Sequence, residues 1–284
     1  MKKIERILFL NEILLSEMPQ YKEEAADFPK NIESQRRLLR SLMNVRPAGE
    51  LSSDFLREQD KLLQEEIREK GIVYAADLPS VFEEFNFADS SQKNSFDKMI
   101  LWQGDITRLA VDGIVNAANS ELLGCFVPCH ACIDNAIHSA AGLQLRNACY
   151  DLMKRQGHYE PTGKAKITSA FNLPANYVLH TVGPIIPIES TPTENDAALL
   201  SSCYSSCLEL AKKNNLKSLA FCCISTGEFH YPGEQAANIA VDTVYSWLKT
   251  TDYEMTVVFN VFKDKDAEFY RKIFKNKSPS KMTV

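Results

Sequence analysis

The sequence predicts an α/β fold: a three-layer α/β/α arrangement around a mixed central sheet, preceded by an α-helical N-terminal extension. Two observations carry this expectation. Up to about residue 72 the apolar residues recur at helical spacing. Beyond residue 98 short apolar runs alternate with helical stretches, the pattern of a sheet covered by helices. The composition agrees, with 45% hydrophobic and 24% charged residues among 284, enough apolar material for a substantial core.

The extension, residues 1–84, reads as three amphipathic helices. Ile4, Ile7, Leu8, Leu14, Leu15 and Met18 form one stripe. Ile32, Leu38, Leu39, Leu42 and Met43 form a second, stopped by Arg46-Pro47 because the residue before proline avoids helical geometry. Phe55, Leu56, Leu62, Leu63 and Ile67 form a third, with Ser52 or Ser53 as cap and Gly71 at its end. Three such helices need a partner surface, either each other or the following domain. The polar stretch FNFADSSQKNSFDK at 85–98 reads as a linker, so a second unit spans 85–284 with its core at about 90–275.

Charge and targeting narrow the function classes. A net charge of −5 gives no general attraction to nucleic acid or anionic membranes. The opening MKKIERILFLNEILLSEM is interrupted by Glu5, Arg6, Asn11 and Glu12, unlike a secretory signal. No run reaches the roughly 18 apolar residues needed to span a bilayer. The protein is therefore expected in the cytoplasm, where cysteines stay reduced and a cysteine cluster suggests a metal or catalytic site.

In the second unit, strands are expected at 99–102, 113–116, 164–169, 177–181, 218–225 and 255–262, with helices at 134–156, 196–213, 234–249 and 264–275. Ligands of such sheets sit in the loops at the strand carboxyl ends. Four of these loops mix Gly or Pro with small polar groups: QGDITRL, VNAANSELLGC, HTVGP and ISTGEFHYPGE. Backbone N–H groups in such loops make anion sites without Lys or Arg. Singly, each could be an ordinary turn; four at one sheet end suggest a site.

GDIT, VNAANS, IDNAIHSAAG, LPANYVLHTVGP and STGEFHYP, in this order, resemble a macrodomain, the ADP-ribose-binding module. Where macrodomains commonly carry a glycine run, this chain has GCFVPCHACIDNAIH. That departure and the helical extension are similar to the zinc-dependent branch of microbial macrodomains, which are protein-ADP-ribosyl hydrolases. The resemblance implies a role for each of several residues. Asp105 would accept from the adenine amino group, with Ile106 near the base and Phe262 flanking it. Asn116 and Asn119 would lie at the distal ribose. Ser225, Thr226, Gly227, Glu228 and Phe229 would wrap the diphosphate. Asp134 would orient a water or accept a ribose hydroxyl, with Asn119 beside it as a second catalytic residue. Taken without the resemblance, Asp105 reads equally as a turn residue and Phe262 as core. His138, one turn beyond Asp134, is placed to touch it but reads first as a satisfied helix residue, and Cys149, Cys203, Cys207, Cys222 and Cys223 read as core.

Cys125, Cys129, His130 and Cys132 raise the metal question. The resemblance implies one Zn2+ per chain, held by Cys125, His130 and Cys132 with a fourth position open, as in catalytic zinc sites. A closed structural zinc using Cys129, or a redox or nucleophilic Cys129, stays open on the residues alone. A zinc deaminase is excluded: PCHAC matches half its signature, but no histidine precedes His130 and no cysteine precedes Cys125. The expected activity is removal of ADP-ribose from an ADP-ribosylated protein, the alternative being a reader that binds without cleaving. Some members of this branch act beside a sirtuin-type transferase and a lipoyl-carrier protein, and the latter is the partner the resemblance implies.

Overall fold

The computed structural model describes residues 1–87 and 93–278. Residues 88–92 of the expected linker and 279–284 lie outside the described residues. The extension contains α1 (Lys3–Glu17), α2 (Lys22–Ala26), α3 (Ile32–Val45) and α4 (Ser53–Lys70). Short elements follow: β1 (Val73–Tyr74), α5 (Val81–Glu84) and α6 (Lys93–Phe96). The second unit contains β2 (Met99–Gln103), β3 (Leu109–Ala110), β4 (Gly113–Ala117), α7 (Ile133–Ala141), α8 (Leu143–Gln156), β5 (Ala165–Ser169), β6 (Tyr177–Thr181), α9 (Glu194–Lys213), β7 (Ser218–Phe221), α10 (Gly233–Thr250), β8 (Thr256–Val261) and α11 (Asp264–Lys277).

Six strands form the sheet in the order β2-β8-β7-β4-β6-β5. All neighbours are parallel except β5 against β6. The sheet is thus mixed, with helices on its faces. Ile114, Val115, Val178, Leu179, Leu219, Ala220, Val257 and Val258 are fully buried, as expected of strands covered on both sides. The parallel arrangement brings the ends of β2, β8, β7, β4 and β6 to one edge of the sandwich. No helix among the described residues is long and apolar enough to cross a membrane.

Two expectations are corrected. The helix expected at 134–156 is two helices, broken at Gly142, whose φ of 95° lies in the left-handed region. A Cβ there would lie 2.7 Å from Gln59 Nε2, so the break and the close approach of α4 need the same glycine. The strand expected at 218–225 ends at Phe221, and the rest joins the following loop.

The extension has its own core, with Ile7, Leu10, Leu14, Leu39, Leu42, Phe55 and Leu62 buried together with Leu143 of α8. Ser52 is the residue that caps α4, accepting from Phe55 N–H. Polar contacts complete the docking. Leu143 N–H donates to Gln59 Oε1 at 2.9 Å, and Asn172 Nδ2 donates to Asp60 at 2.7 Å. The helices pack on each other and on the second unit.

Candidate active site

The loop after β4, residues 118–132, is shaped by its own polar groups and by the extension. Asn119 Oδ1 accepts from Glu121 N–H at 3.0 Å and its Nδ2 donates to Gly124 O at 3.2 Å, closing the turn. One N–H and one lone pair of the amide remain for a ligand. Further on, Cys132 is the N-cap of α7, its Sγ accepting from Asn135 N–H at 3.4 Å. Arg40 of α3 donates to Asn135 Oδ1 at 2.7 Å and to His130 O at 3.3 Å. Arg146 of α8 is buried, donates to Leu123 O and to Met43 O, and stacks on Phe126 at 4.3 Å. Burial lowers its pKa to about 10. The loop is thus clamped between α8 and the end of α3.

This clamp brings Cys125, His130 and Cys132 together, with one donor atom of each within 4.8 Å of the others. His130 Nδ1 is buried and has no hydrogen-bond partner. Burial, reinforced by Cys125 and Asp134, pushes the Cys132 thiol up to about 12. Cys129 points away from this cluster. Its N–H donates to Asn44 Oδ1, and its Sγ lies 3.3 Å from Ser41 Oγ and 3.6 Å from Arg37 O, all on α3.

Under the cluster lies a buried polar chain. Asp134, in the first turn of α7, accepts at Oδ1 from Asn116 Nδ2 at 2.7 Å. Burial raises its carboxyl to about 6, against the opposing pull of Asn116 and Arg146. Asn116, fully buried at the end of β4, also faces His180 Nδ1 at 3.3 Å, and His180 Nε2 meets Thr168 Oγ1 at 2.9 Å. An amide NH2 can serve Asp134 and His180 at once only if His180 Nδ1 accepts. His180 then carries its proton on Nε2 and donates to Thr168. Burial lowers the His180 pKa to about 4, which keeps the ring neutral. The same orientation turns Asn116 Oδ1 away, and it is a buried acceptor without a partner.

His138 corrects an expectation. Its ring is buried, Nε2 lies 3.5 Å from Asp134 Oδ1, and neither ring nitrogen has a hydrogen-bond partner. It is not a satisfied helix residue. Burial, aided by His180 and Arg146, lowers its pKa. Cys149 is buried as expected but borders this chain, 3.6 Å from His180 Nε2.

The loop after β7 folds over the end of β6. Ser225 has a φ of 65° and is buried, its O accepts from Tyr231 N–H at 2.9 Å, and its Oγ has no partner. Gly183 makes this possible, since a Cβ there would lie 2.0 Å from Ser225 Oγ. His230 N–H closes on Gly227 O, Thr226 Oγ1 donates to Cys223 O, and Phe229 O accepts from Ile186 N–H. Exposed Glu228 reaches within 3.7 Å of His130 Nε2, so the β7 and β4 loops meet.

At the far end of the row, Asp105 caps a turn over Ile106–Arg108. Its Oδ1 accepts from Thr107 N–H and Oγ1, and its Oδ2 faces Lys70 Nζ of α4 at 3.4 Å. Phe262, just past β8, is 73% exposed and therefore not core. Ile106 is 1% exposed and packs into the core behind the Asp105 turn. Arg40, Arg146, His180 and Thr168 were not singled out from sequence. His180 sits inside the quoted LPANYVLHTVGP, a polar residue in an apolar strand, and that was its one available signal.

Residues 115–240 match the family described as Macro domain. A protein-ADP-ribose hydrolase of Treponema medium is 52% identical over 273 residues, covering 96% of this chain and 99% of the relative. One of Staphylococcus aureus (strain MSSA476) is 45% identical over 247 residues, 87% of each chain. Among solved structures, the Trypanosoma brucei macrodomain in complex with ADP-ribose aligns with a TM-score of 0.62 at 29% identity, covering 82% of this chain and 94% of that one. The Oceanobacillus iheyensis macrodomain with ADP aligns at 0.56 and 38%, covering 63% and 90%. The chain belongs to the Macro domain family.

Proposed function

We propose that this protein hydrolyses the bond between the distal ribose of ADP-ribose and a protein side chain, with one Zn2+ at that ribose. The observation that carries the reading is the convergence of Cys125, His130 and Cys132 above the Asp134–Asn116 pair. Two thiols and an imidazole are ligand types zinc takes. The buried His130 Nδ1 has no hydrogen-bond partner and is available to the same ion. The names of the Treponema and Staphylococcus relatives support the hydrolase.

Zinc, when bound, supplies a Lewis acid that acidifies a water or polarises a ribose hydroxyl. The chain's own groups do the rest. Asp134, with its pKa raised to about 6, accepts a proton from the attacking water or a ribose hydroxyl near neutral pH. Asn116 fixes that carboxylate through Oδ1 and offers its own free Oδ1 to a ribose hydroxyl. Asn119 holds the loop that carries Cys125. Backbone N–H groups of Ser225, Thr226, Gly227, Glu228 and Phe229 hold the diphosphate, Asp105 accepts from adenine, and Phe262 flanks the base. Holding the ribose still contributes through orientation. A lipoyl-carrier protein is the macromolecular substrate proposed on the resemblance alone.

Neighbouring cysteines test the reading. Cys132→Ala is expected to lose zinc and nearly all hydrolysis, while Cys129→Ala keeps both, measured by metal analysis and release of ADP-ribose from a modified protein. Zinc lost in Cys129→Ala but kept in Cys125→Ala overturns the ligand set. Tight ADP-ribose binding without turnover in zinc-loaded protein makes it a reader.

A further inference from the structure

A groove of about 650 Å³ opens beside β5, lined by His158, Glu160, Lys164, Lys166, Glu209 and Lys213 among others. It lies outside the row of loops described above but is joined to them. Glu160 N–H donates to Ser120 O, next to Asn119, and Gly163 N–H donates to Val182 O, just past β6. Ala165 at the start of β5 is level with Thr181 at the end of β6, and Thr181 with Ala117 at the end of β4. The groove therefore opens at the same end of the sheet as the site and runs along α9 toward Lys213, whose helix ends near the start of β7.

The order of strands gives it a direction. Asp105 follows β2, Phe262 follows β8, Ser225–Phe229 follow β7, and the Asn116–Cys132 segment follows β4. On the proposed function, adenine lies over β2 and β8, the diphosphate over β7, and the distal ribose over β4. The next strands in the same line are β6 and β5. A substituent on the distal ribose that continues this line enters the groove.

The charge of the groove selects what enters. Glu160 accepts from Gln156 Nε2 at 2.9 Å and pairs with Lys166 Nζ at 3.4 Å, whereas Glu209 accepts from the neutral Trp247 Nε1 at 2.5 Å and keeps its charge. Among the described residues, Lys164 and Lys213 have no carboxylate within ion-pair distance, and both are exposed. The lining thus sets three lysines against two glutamates, a small local excess of positive charge in a protein of net charge −5. β5 also exposes one edge, since it is last in the sheet.

We propose that this groove docks an acidic segment of the ADP-ribosylated protein, flanking the modified side chain, and so selects the protein substrate of the site. This rests on the proposed function for the direction of the ligand. Lysines on an edge strand also guard against edge-to-edge pairing, and a cation at the end of α9 offsets the helix dipole. Those roles need no preference among substrates, and this separates them from docking.

The test uses the full zinc-loaded chain and two non-hydrolysable conjugates. Each joins ADP-ribose through its distal ribose to a labelled peptide, one with an Asp/Glu flank and one with an Asn/Gln flank. Anisotropy should show the acidic conjugate binding about tenfold tighter at low salt, as expected for two partly exposed charge pairs, with the advantage fading as salt is raised. In Lys164→Glu/Lys213→Glu the advantage should vanish while the neutral conjugate and free ADP-ribose bind as before. Equal affinity of both conjugates, or equal losses for both in the variant, overturns the proposal. Because binding needs no turnover, a wild-type protein that fails to cleave a modified protein refutes the hydrolase reading separately.

Discussion

Replacing Asp134 by Asn should stabilise the metal-free protein while removing the proposed proton acceptor. The amide keeps an oxygen for Asn116 Nδ2 and fills the same volume, so the change is chiefly one of charge. Burial holds the Asp134 carboxyl at about 6 against an ordinary 3.8. At ~1.36 kcal/mol per pH unit, ionising it inside the fold costs about 3 kcal/mol at pH 7. The folded state binds this proton more tightly than the unfolded chain does. The penalty is therefore nearly absent below pH 4 and grows as pH rises through 6. His138 and His180 act oppositely, since their lowered pKa values make the fold lose stability as pH falls below about 6.5. Both contributions are small at pH 7, above the ordinary histidine pKa, so the difference there reports Asp134. Urea unfolding with a chelator and a reductant present should show Asp134→Asn about 3 kcal/mol more stable at pH 7 and less than ~1 kcal/mol more stable at pH 4. Equal stability at pH 7, or a gap that does not change with pH, refutes the reasoning.

Arg40→Ala should cost about 1.5–3 kcal/mol by removing charged hydrogen bonds to Asn135 Oδ1 and His130 O. Zinc should pass faster to a competing chelator, and Arg40→Lys should not restore the wild-type rate because it lacks the planar fork; unchanged metal release would show that α3 does not brace the loop. Gly183→Ala places a methyl 2.0 Å from Ser225 Oγ and 2.9 Å from Ile224 Cγ2. It should lower stability by about 1–3 kcal/mol and weaken free ADP-ribose binding in calorimetry, whereas full affinity would remove the β7 loop from the nucleotide site.

Periodicity determined much of this protein. The stripe from Ile4 to Met18 is a helix because one buried face leaves a 3.6-residue repeat in the chain, and MTVVFNVF at 255–262 contains the interior strand β8, covered on both faces and so a continuous apolar run. The strand-end loops followed from alternation of β and α. The Gly142 break was not legible: the need for a glycine there comes from Gln59, far away in sequence. Cys129 and Cys132 look alike in PCHAC; only α3, which takes Cys129 through Ser41, Asn44 and Arg37, separates them. In the same way, His138 and His180 are single polar letters until folding buries them around Asp134 and leaves one imidazole satisfied and the other without partners. The sequence by itself determined the elements, the order of the loops and the candidate donors, since those depend on neighbours within a turn or a strand. Tertiary structure alone decided which donors converge, which way the Asn116 amide faces and what the carboxyl of Asp134 does, because burial and pairing are set by residues brought together across the fold.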